Sequence, residues 1–330
     1  MTLPSVQSDA AAAVSRFASV LERMEVRKQL DGLCAEWWGR HAQQVRLQAL
    51  KCHVRHRCTF EVALQTEIGW RSVIAKVYLT DRSDLFRSMD AVSRAGFGAD
   101  AEFSIPRPLA YVPSSRVLLE EKVPGPSAKE IFLSGNPREH AEAAERSGRW
   151  LARFHAAAPQ IGAARERSDQ WARYRRWMDQ IRAFGEPALI AKADQLFRKL
   201  EAALPTPDTM ALRAGHGSYI PEHVMLSDRR TAVIDLDECD VADPGRDLAW
   251  FVVSLQRMAL RQLGSLQALD RIAEHFLQSY LSASRGDGVG HLPVFRALEC
   301  LNRARHDLIK QLTPAPERAH TMLDEGLRHL

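Results

Sequence analysis

Residues 213–250 read RAGHGSYIPEHVMLSDRRTAVIDLDECDVADPGRDLAW, and the order of chemical groups in that stretch decides the fold. Val233-Ile234-Asp235-Leu236-Asp237 sets two carboxylates two residues apart in an otherwise apolar run. Read as a strand, its period of two puts both on one face. A buried face does not tolerate unpaired carboxylates. A divalent cation with oxygen ligands is one reason for them to be there, and a strand end at the surface is the other. Upstream, His216-Gly217-Ser218 follows a short strand-like run and opens a polar loop. Downstream, Asp243-Pro244 leads Asp247-Leu248-Ala249 into a helix, with proline at its first turn.

On either side of this stretch the chain is helical. Periodic apolar segments cover about 138–157, 165–183, 187–203, 246–262, 265–284, 292–312 and 315–329. Pro124-Gly125-Pro126 is the strongest break in the sequence. Before it the period is that of strands. Residues 44–64 alternate loosely, Glu67-Ile68-Gly69-Trp70 reads as a hairpin connection, and residues 72–79 (SVIAKVYL) form the clearest strand. Residues 83–95 read as a short helix, and 109–112 and 116–123 as two more strands. Residues 1–38 read as helices. The organisation expected is a helical extension (1–38), a β-rich lobe (39–123) and an α-helical lobe (124–330).

Composition sets limits. The chain has 330 residues, 45% of them apolar and 26% charged, with a net charge of +4. That balance is ordinary for a globular protein and does not by itself imply nucleic-acid binding. The five cysteines are unevenly spaced and form no CxxC, which suits free thiols in a reducing compartment. The longest strongly apolar stretch, 249–255, is far short of the ~20 residues a membrane span needs. A cytoplasmic protein without membrane or nucleic-acid partners is expected. There are eight lysines against 37 arginines, so Lys76, inside an apolar strand, draws notice.

Three apparent motifs are set aside. Gly96–Ala101 fits a loose GxGxxA but follows a helix rather than a strand, so it fails the dinucleotide context. Cys52, His53, His56 and Cys58 resemble a metal cluster, yet on a strand His53 faces away from the other three. The Arg-rich stretch 165–182 reads as a solvated helix face.

A strand lysine, a Pro/Gly hinge, a His-Gly loop, an Ile-Asp strand and an Asp-Pro-x-x-Asp-Leu-Ala helix start occur here in one order. In that order the chain resembles the aminoglycoside phosphotransferase and choline-kinase-like family, a branch of the protein-kinase-like fold. The resemblance covers about residues 40–330 and is most specific in 214–250. It implies a two-lobed α+β fold, with a small antiparallel β-rich lobe and a large α-helical lobe. It also implies ATP or another nucleotide held at the hinge between the lobes, Mg²⁺, and transfer of phosphate to a small-molecule hydroxyl. By resemblance, Lys76 pairs with the nucleotide phosphates, and Glu121 to Val123 are the hinge that receives adenine. Asp235 binds Mg²⁺, Asp247 braces the catalytic loop from a helix N-terminus, and His216 opens that loop.

The family loop HGDxxxxN reads here His216-Gly217-Ser218-Tyr219-Ile220-Pro221-Glu222-His223. Ser218 takes the position of the base and His223 that of the second metal ligand. A serine hydroxyl does not accept a proton at neutral pH as a carboxylate does, and losing a positioned base costs about 10²–10⁴ in rate. Imidazole is a poor exchange for an amide oxygen around Mg²⁺. No glycine lies between Gly39 and Gly69, so no glycine-rich loop covers the phosphates. The helix after Lys76 offers Asp84 and Asp90 but no glutamate; an aspartate reaches the lysine only if that helix is shifted. Two readings follow. One is an active small-molecule kinase in which Glu222 or Asp237 supplies the missing carboxylate. The other is a pseudokinase that binds a nucleotide or a protein partner without transfer.

Overall fold

The computed structural model describes residues 5–39, 42–67, 69–162, 167–206, 210–284, 289–309 and 314–330. Residues 1–4 of the expected helical extension, Ile68 of the expected hairpin, residues 165–166 of the Arg-rich stretch and residues 310–312 of an expected helix lie outside the described residues. The chain divides into two compact units, Met1–Pro124 and Gly125–Leu330.

The first unit begins with helices α1 (Ser5–Leu21) and α2 (Met24–Trp38). Strands β1 (Gln44–His53), β2 (Arg57–Thr66) and β3 (Gly69–Tyr78) follow, then α3 (Ser83–Val92), β4 (Phe103–Ser104), β5 (Pro108–Val112) and β6 (Val117–Glu121). Five strands form one antiparallel sheet in the order β1-β2-β3-β6-β5. Strand alternation sorts its faces. Cys58, Phe60, Val62 and Leu64 of β2 join Val73, Ala75 and Val77 of β3 in one core, which Leu21, Val26 and Leu30 of α1 and α2 complete. The N-terminal helices thus cover one face of the sheet. The larger of these side chains, such as Phe60, Leu64 and Val73, each contribute about 1.5–3 kcal/mol on burial. Residues of opposite parity, Lys76 among them, belong to the other face.

The discounted motifs find ordinary places. Gly96 takes a positive φ in the turn that ends the helical segment after α3. Cys52 and Cys58 are register partners across the β1–β2 hairpin, both as free thiols. Burial first, then the Cys52 contact, pushes the Cys58 thiol up to about 12.

The second unit contains α4 (Ala128–Ser134), α5 (Pro137–Ala157), α6 (Arg167–Phe184) and α7 (Pro187–Ala203). Four short strands follow: β7 (Arg213–Gly215), β8 (Val224–Leu226), β9 (Thr231–Val233) and β10 (Asp240–Ala242). Helices α8 (Pro244–Gln262), α9 (Asp270–Ser284), α10 (Leu292–Ile309) and α11 (Pro316–Arg328) complete it. The helix starts are written locally. Asn136 caps α5, its side chain accepting from Arg138 and Glu139 amides at 3.0 and 3.1 Å. Glu139 reaches back to the Asn136 amide at 2.8 Å, completing a capping box behind Pro137. Asp243 caps α8 through the Gly245 amide at 2.8 Å, with Pro244 at its first position. Helix α9 starts at Asp270, later than its periodicity suggests, because Leu266 and Leu269 are buried in the preceding turns. Among the described residues no helix is long and apolar enough to cross a membrane.

Candidate active site

Strand β7 pairs with β10, and β8 with β9, and the polar loop expected at His216 leaves the end of β7. Gly217 has φ 78°, and a Cβ there would overlap the carbonyl oxygen of Glu238. Glycine is therefore required by conformation and by space. The loop then enters a short 3-10 turn, Pro221–His223.

The expected strand through Asp235 and Asp237 is not formed. Strand β9 ends at Val233, and Asp235 stands in the left-handed region (φ 67°, ψ 55°) at the head of a 3-10 turn, Leu236–Glu238. Strand alternation does not carry through to Asp237 because the backbone turns at Asp235. Aspartate tolerates that region better than most residues.

Asp247, in the first turn of α8, clamps the loop. Its Oδ2 accepts from the His216 amide at 2.6 Å and its Oδ1 from the Gly217 amide at 2.9 Å. His155, at the end of α5, places Nε2 at 3.2 Å from Asp247 Oδ2, and its Nδ1 meets the Tyr280 hydroxyl at 2.9 Å. Asp247 and His155 are both buried. Burial alone drives the Asp247 carboxyl up. The His155 hydrogen bond and the charges of Arg246, His155 and His216 outweigh it and hold the group at about 2.

A second set of contacts ties the loop to Asp235. His216 Nε2 lies 3.1 Å from the Ile234 carbonyl, which only accepts, so Nε2 carries the proton. The Ile234 amide donates to the His223 carbonyl at 2.9 Å. His223 Nδ1 lies 3.0 Å from the Ser218 carbonyl, which fixes its proton there and turns Nε2 toward Asp235 Oδ2 at 3.5 Å. Ser218 is half-buried, as is Asp237. Glu222 forms an ion pair with Lys129 at 3.2 Å. Beneath the loop, Tyr219 is fully buried, stacked between Trp150 (5.7 Å) and Phe251 (5.4 Å), and its hydroxyl donates to the Ser147 carbonyl at 2.8 Å.

In the first unit, Lys76 Nζ lies 3.1 Å from Glu120 Oε1, both side chains no more than 5% exposed. Register explains the pair: Ile74 opposes Glu120 and Lys76 opposes Leu118, so lysine and glutamate share a face on neighbouring strands. The aspartates of α3 do not take this role. Asp84 pairs with Arg82 and Asp90 with Arg94, both on the surface. In the expected hinge, Glu121 pairs with Arg107: its amide donates to the Arg107 carbonyl and its Oε2 accepts from the Arg107 amide, each at 3.0 Å.

Sequence reasoning missed Glu120 and His155. Each had a signal: a glutamate sharing parity with Leu118 in an apolar strand, and a histidine among Trp150, Leu151 and Phe154 in an amphipathic helix. It also missed a cavity of about 290 Å³ in the helical unit, beside Gly217 and Arg246 and walled by Tyr174, Trp177, Trp250 and Phe295.

Comparison with known proteins places this arrangement. The fold is protein-kinase-like, a mixed α+β architecture with an antiparallel-sheet lobe and a helical lobe. It is similar to the choline/ethanolamine kinase family protein from Mesorhizobium loti (14% identity, TM-score 0.60, covering 96% of this chain and 94% of that one). It is also similar to choline kinase from Cryptosporidium parvum (12%, TM-score 0.62, 92% and 94%). An ADP-bound aminoglycoside phosphotransferase is a further neighbour (12%, TM-score 0.54, 92% and 97%). No curated protein sequence matches the chain. Residues 62–285 match the model of the phosphotransferase enzyme family, and the chain belongs to that family.

Proposed function

We propose that this protein is an ATP-dependent kinase of a small-molecule hydroxyl, working through a loop that keeps its positioning groups and has lost its base. The observation that carries the reading is the Asp247 clamp on the His216 and Gly217 amides, which fixes the loop beside Asp235. Lys76, steadied by Glu120, would meet the nucleotide phosphates. Glu121 and Val123 would be the hinge positions for adenine.

The donor set fits one metal position and not the other. Asp235 offers a carboxylate oxygen, which suits Mg²⁺ carried in with a nucleotide. His223 offers nitrogen, which Mg²⁺ accepts poorly. When bound, Mg²⁺ would neutralise phosphate charge. In the transfer, the acceptor oxygen bonds to the γ-phosphorus, the bond to the β,γ-bridging oxygen breaks, and ADP leaves. The hydroxyl proton passes to solvent, because Ser218 does not take it. Positioning and charge neutralisation carry most of this chemistry. The missing base then makes the reaction slower by about 10²–10⁴ rather than abolishing it.

A pseudokinase is the second reading, favoured by the engagement of His223 with Ser218 and Asp235. Calorimetry of ATP·Mg²⁺ binding on wild type and Lys76→Ala, followed by an acceptor screen for ADP release, separates the two. Binding that is lost in the variant, with turnover, supports the kinase. Binding without turnover on any acceptor supports the pseudokinase, and no binding removes both nucleotide roles.

A further inference from the structure

The cavity beside Gly217 lies within the helical unit, between α6, α8 and α10. At about 290 Å³ it is at the small end of ligand cavities, which run to about 1,000 Å³. Its aromatic walls would suit a cation, but the indoles already carry cations. The Arg303 guanidinium sits 4.9 Å from the Trp250 ring centre. Arg173 and Arg305 sit 5.3 and 5.1 Å from that of Trp177.

Two carboxylates near the cavity are committed. Glu299, 3% exposed, meets Arg303 Nε at 2.6 Å and the Asn302 amide at 3.0 Å. Burial raises its carboxyl above the ordinary range. Asp240 grips Arg246 through both oxygens. Arginines outnumber them: Arg173, Arg176 and Arg246 line the cavity against Asp169 and Glu299, and Arg303 and Arg305 stand behind the indoles. Arg305 donates to the neutral oxygens of Gln180 (3.0 Å) and Asn302 (2.8 Å). Burial lowers it to about 10; the charge of Glu299 opposes that shift, and the charges of Arg173 and Arg303 add to it. A site in which guanidiniums crowd one another in this way favours an anion.

We propose that this cavity is the acceptor site and takes a small hydroxyl compound with a flat apolar body and an anionic group, a carboxylate or a phosphate. Its role as acceptor site rests on the kinase reading above. The charge class rests on the cavity and is opposite to that of choline, which is a cation.

The test is calorimetry on the full chain without nucleotide, using four matched phenols: 4-hydroxyphenylacetate, 4-hydroxybenzylphosphonate, 4-hydroxyphenylacetamide and tyramine, with choline beside them. The carboxylate or the phosphonate is expected to bind about tenfold or more tighter than the amide, as a charge-assisted hydrogen bond allows. Whichever of the two binds tighter identifies the anionic group. Arg176→Gln and Arg173→Gln remove that preference, whereas Arg173→Lys keeps part of it. Tyramine or choline binding as tightly as the anions, equal binding of anion and amide, no binding by either anion, or a preference unchanged in both Gln variants each overturns the proposal. ATP binding, measured separately on wild type and Lys76→Ala, reports on the kinase reading, so the two failures are distinct.

Discussion

His155 Nε2 and Asp247 Oδ2 lie 3.2 Å apart in a buried site that also holds the His216 and Gly217 amides. The same carboxylate therefore serves a helix start, a histidine from another helix and the loop beside Asp235. Its lowered pKa makes it a source of pH-dependent stability. A carboxyl held near 2 in the folded state and near 3.8 when free stabilises the fold fully above about pH 4, and that contribution fades as pH falls toward 2. It is worth about 2 kcal/mol. Asp247→Asn leaves one acceptor oxygen for three donors, and the loss is about 3 kcal/mol or more. Urea unfolding at pH 7 and pH 3 is the check: the gap between wild type and variant narrows at the lower pH.

Lys76 and Glu120 form a second buried pair, and breaking it strands a charge. Lys76→Met or Glu120→Leu alone is expected to cost about 3–5 kcal/mol, whereas the double variant regains most of that loss. A double-mutant cycle by chemical unfolding reads the coupling. Additive single losses would mean that the 3.1 Å contact carries no net interaction.

Gly217 gives a steric prediction. Alanine there needs a positive φ and overlaps the Glu238 carbonyl, so the loop must shift and its amide contacts to Asp247 are disturbed. Gly217→Ala is expected to lower stability by more than the ~1 kcal/mol of an ordinary glycine-to-alanine strain effect. It also removes any turnover. Gly39→Ala, with a similar φ of 63° and open space around its Cβ position, serves as the control and shows only the backbone cost.

The order of motifs along the chain was enough to read the fold, because each motif is a local signal: a strand lysine, a Pro/Gly break, an Asp-Pro helix start. Asp247 and the helix start at Asp243-Pro244 were legible for the same reason. What escaped reading depends on contacts distant in sequence. Glu120 meets Lys76 only through strand register, and His155 meets Asp247 only because the end of α5 comes to the start of α8. The DxD strand was misread because alternation says nothing about where a backbone turns, and Asp235 turns into the left-handed region. The aromatic and arginine residues of the cavity lie on three separate helices and carry no common spacing.

His223 ties Ser218 to Asp235. Its Nδ1 proton is held by the Ser218 carbonyl, so Nε2 faces the Asp235 carboxylate. A histidine fixed in this way, with its second nitrogen bonded to a backbone carbonyl, has the arrangement in which imidazole binds a metal well. Imidazole favours Mn²⁺ over Mg²⁺ more than an amide oxygen does. Nucleotide binding by the wild type is therefore expected to be tighter with Mn²⁺ than with Mg²⁺, and His223→Asn should narrow or reverse that order. Ser218→Asp added to His223→Asn restores both an oxygen ligand and a carboxylate at the base position. If the kinase reading is right, the double variant gains about 10²–10⁴ in rate with Mg²⁺. Calorimetry with each metal and a steady-state ADP-release assay check the two halves. An unchanged metal order in His223→Asn would show that His223 does not contact the metal, and would leave its role as the tie between Ser218 and Asp235.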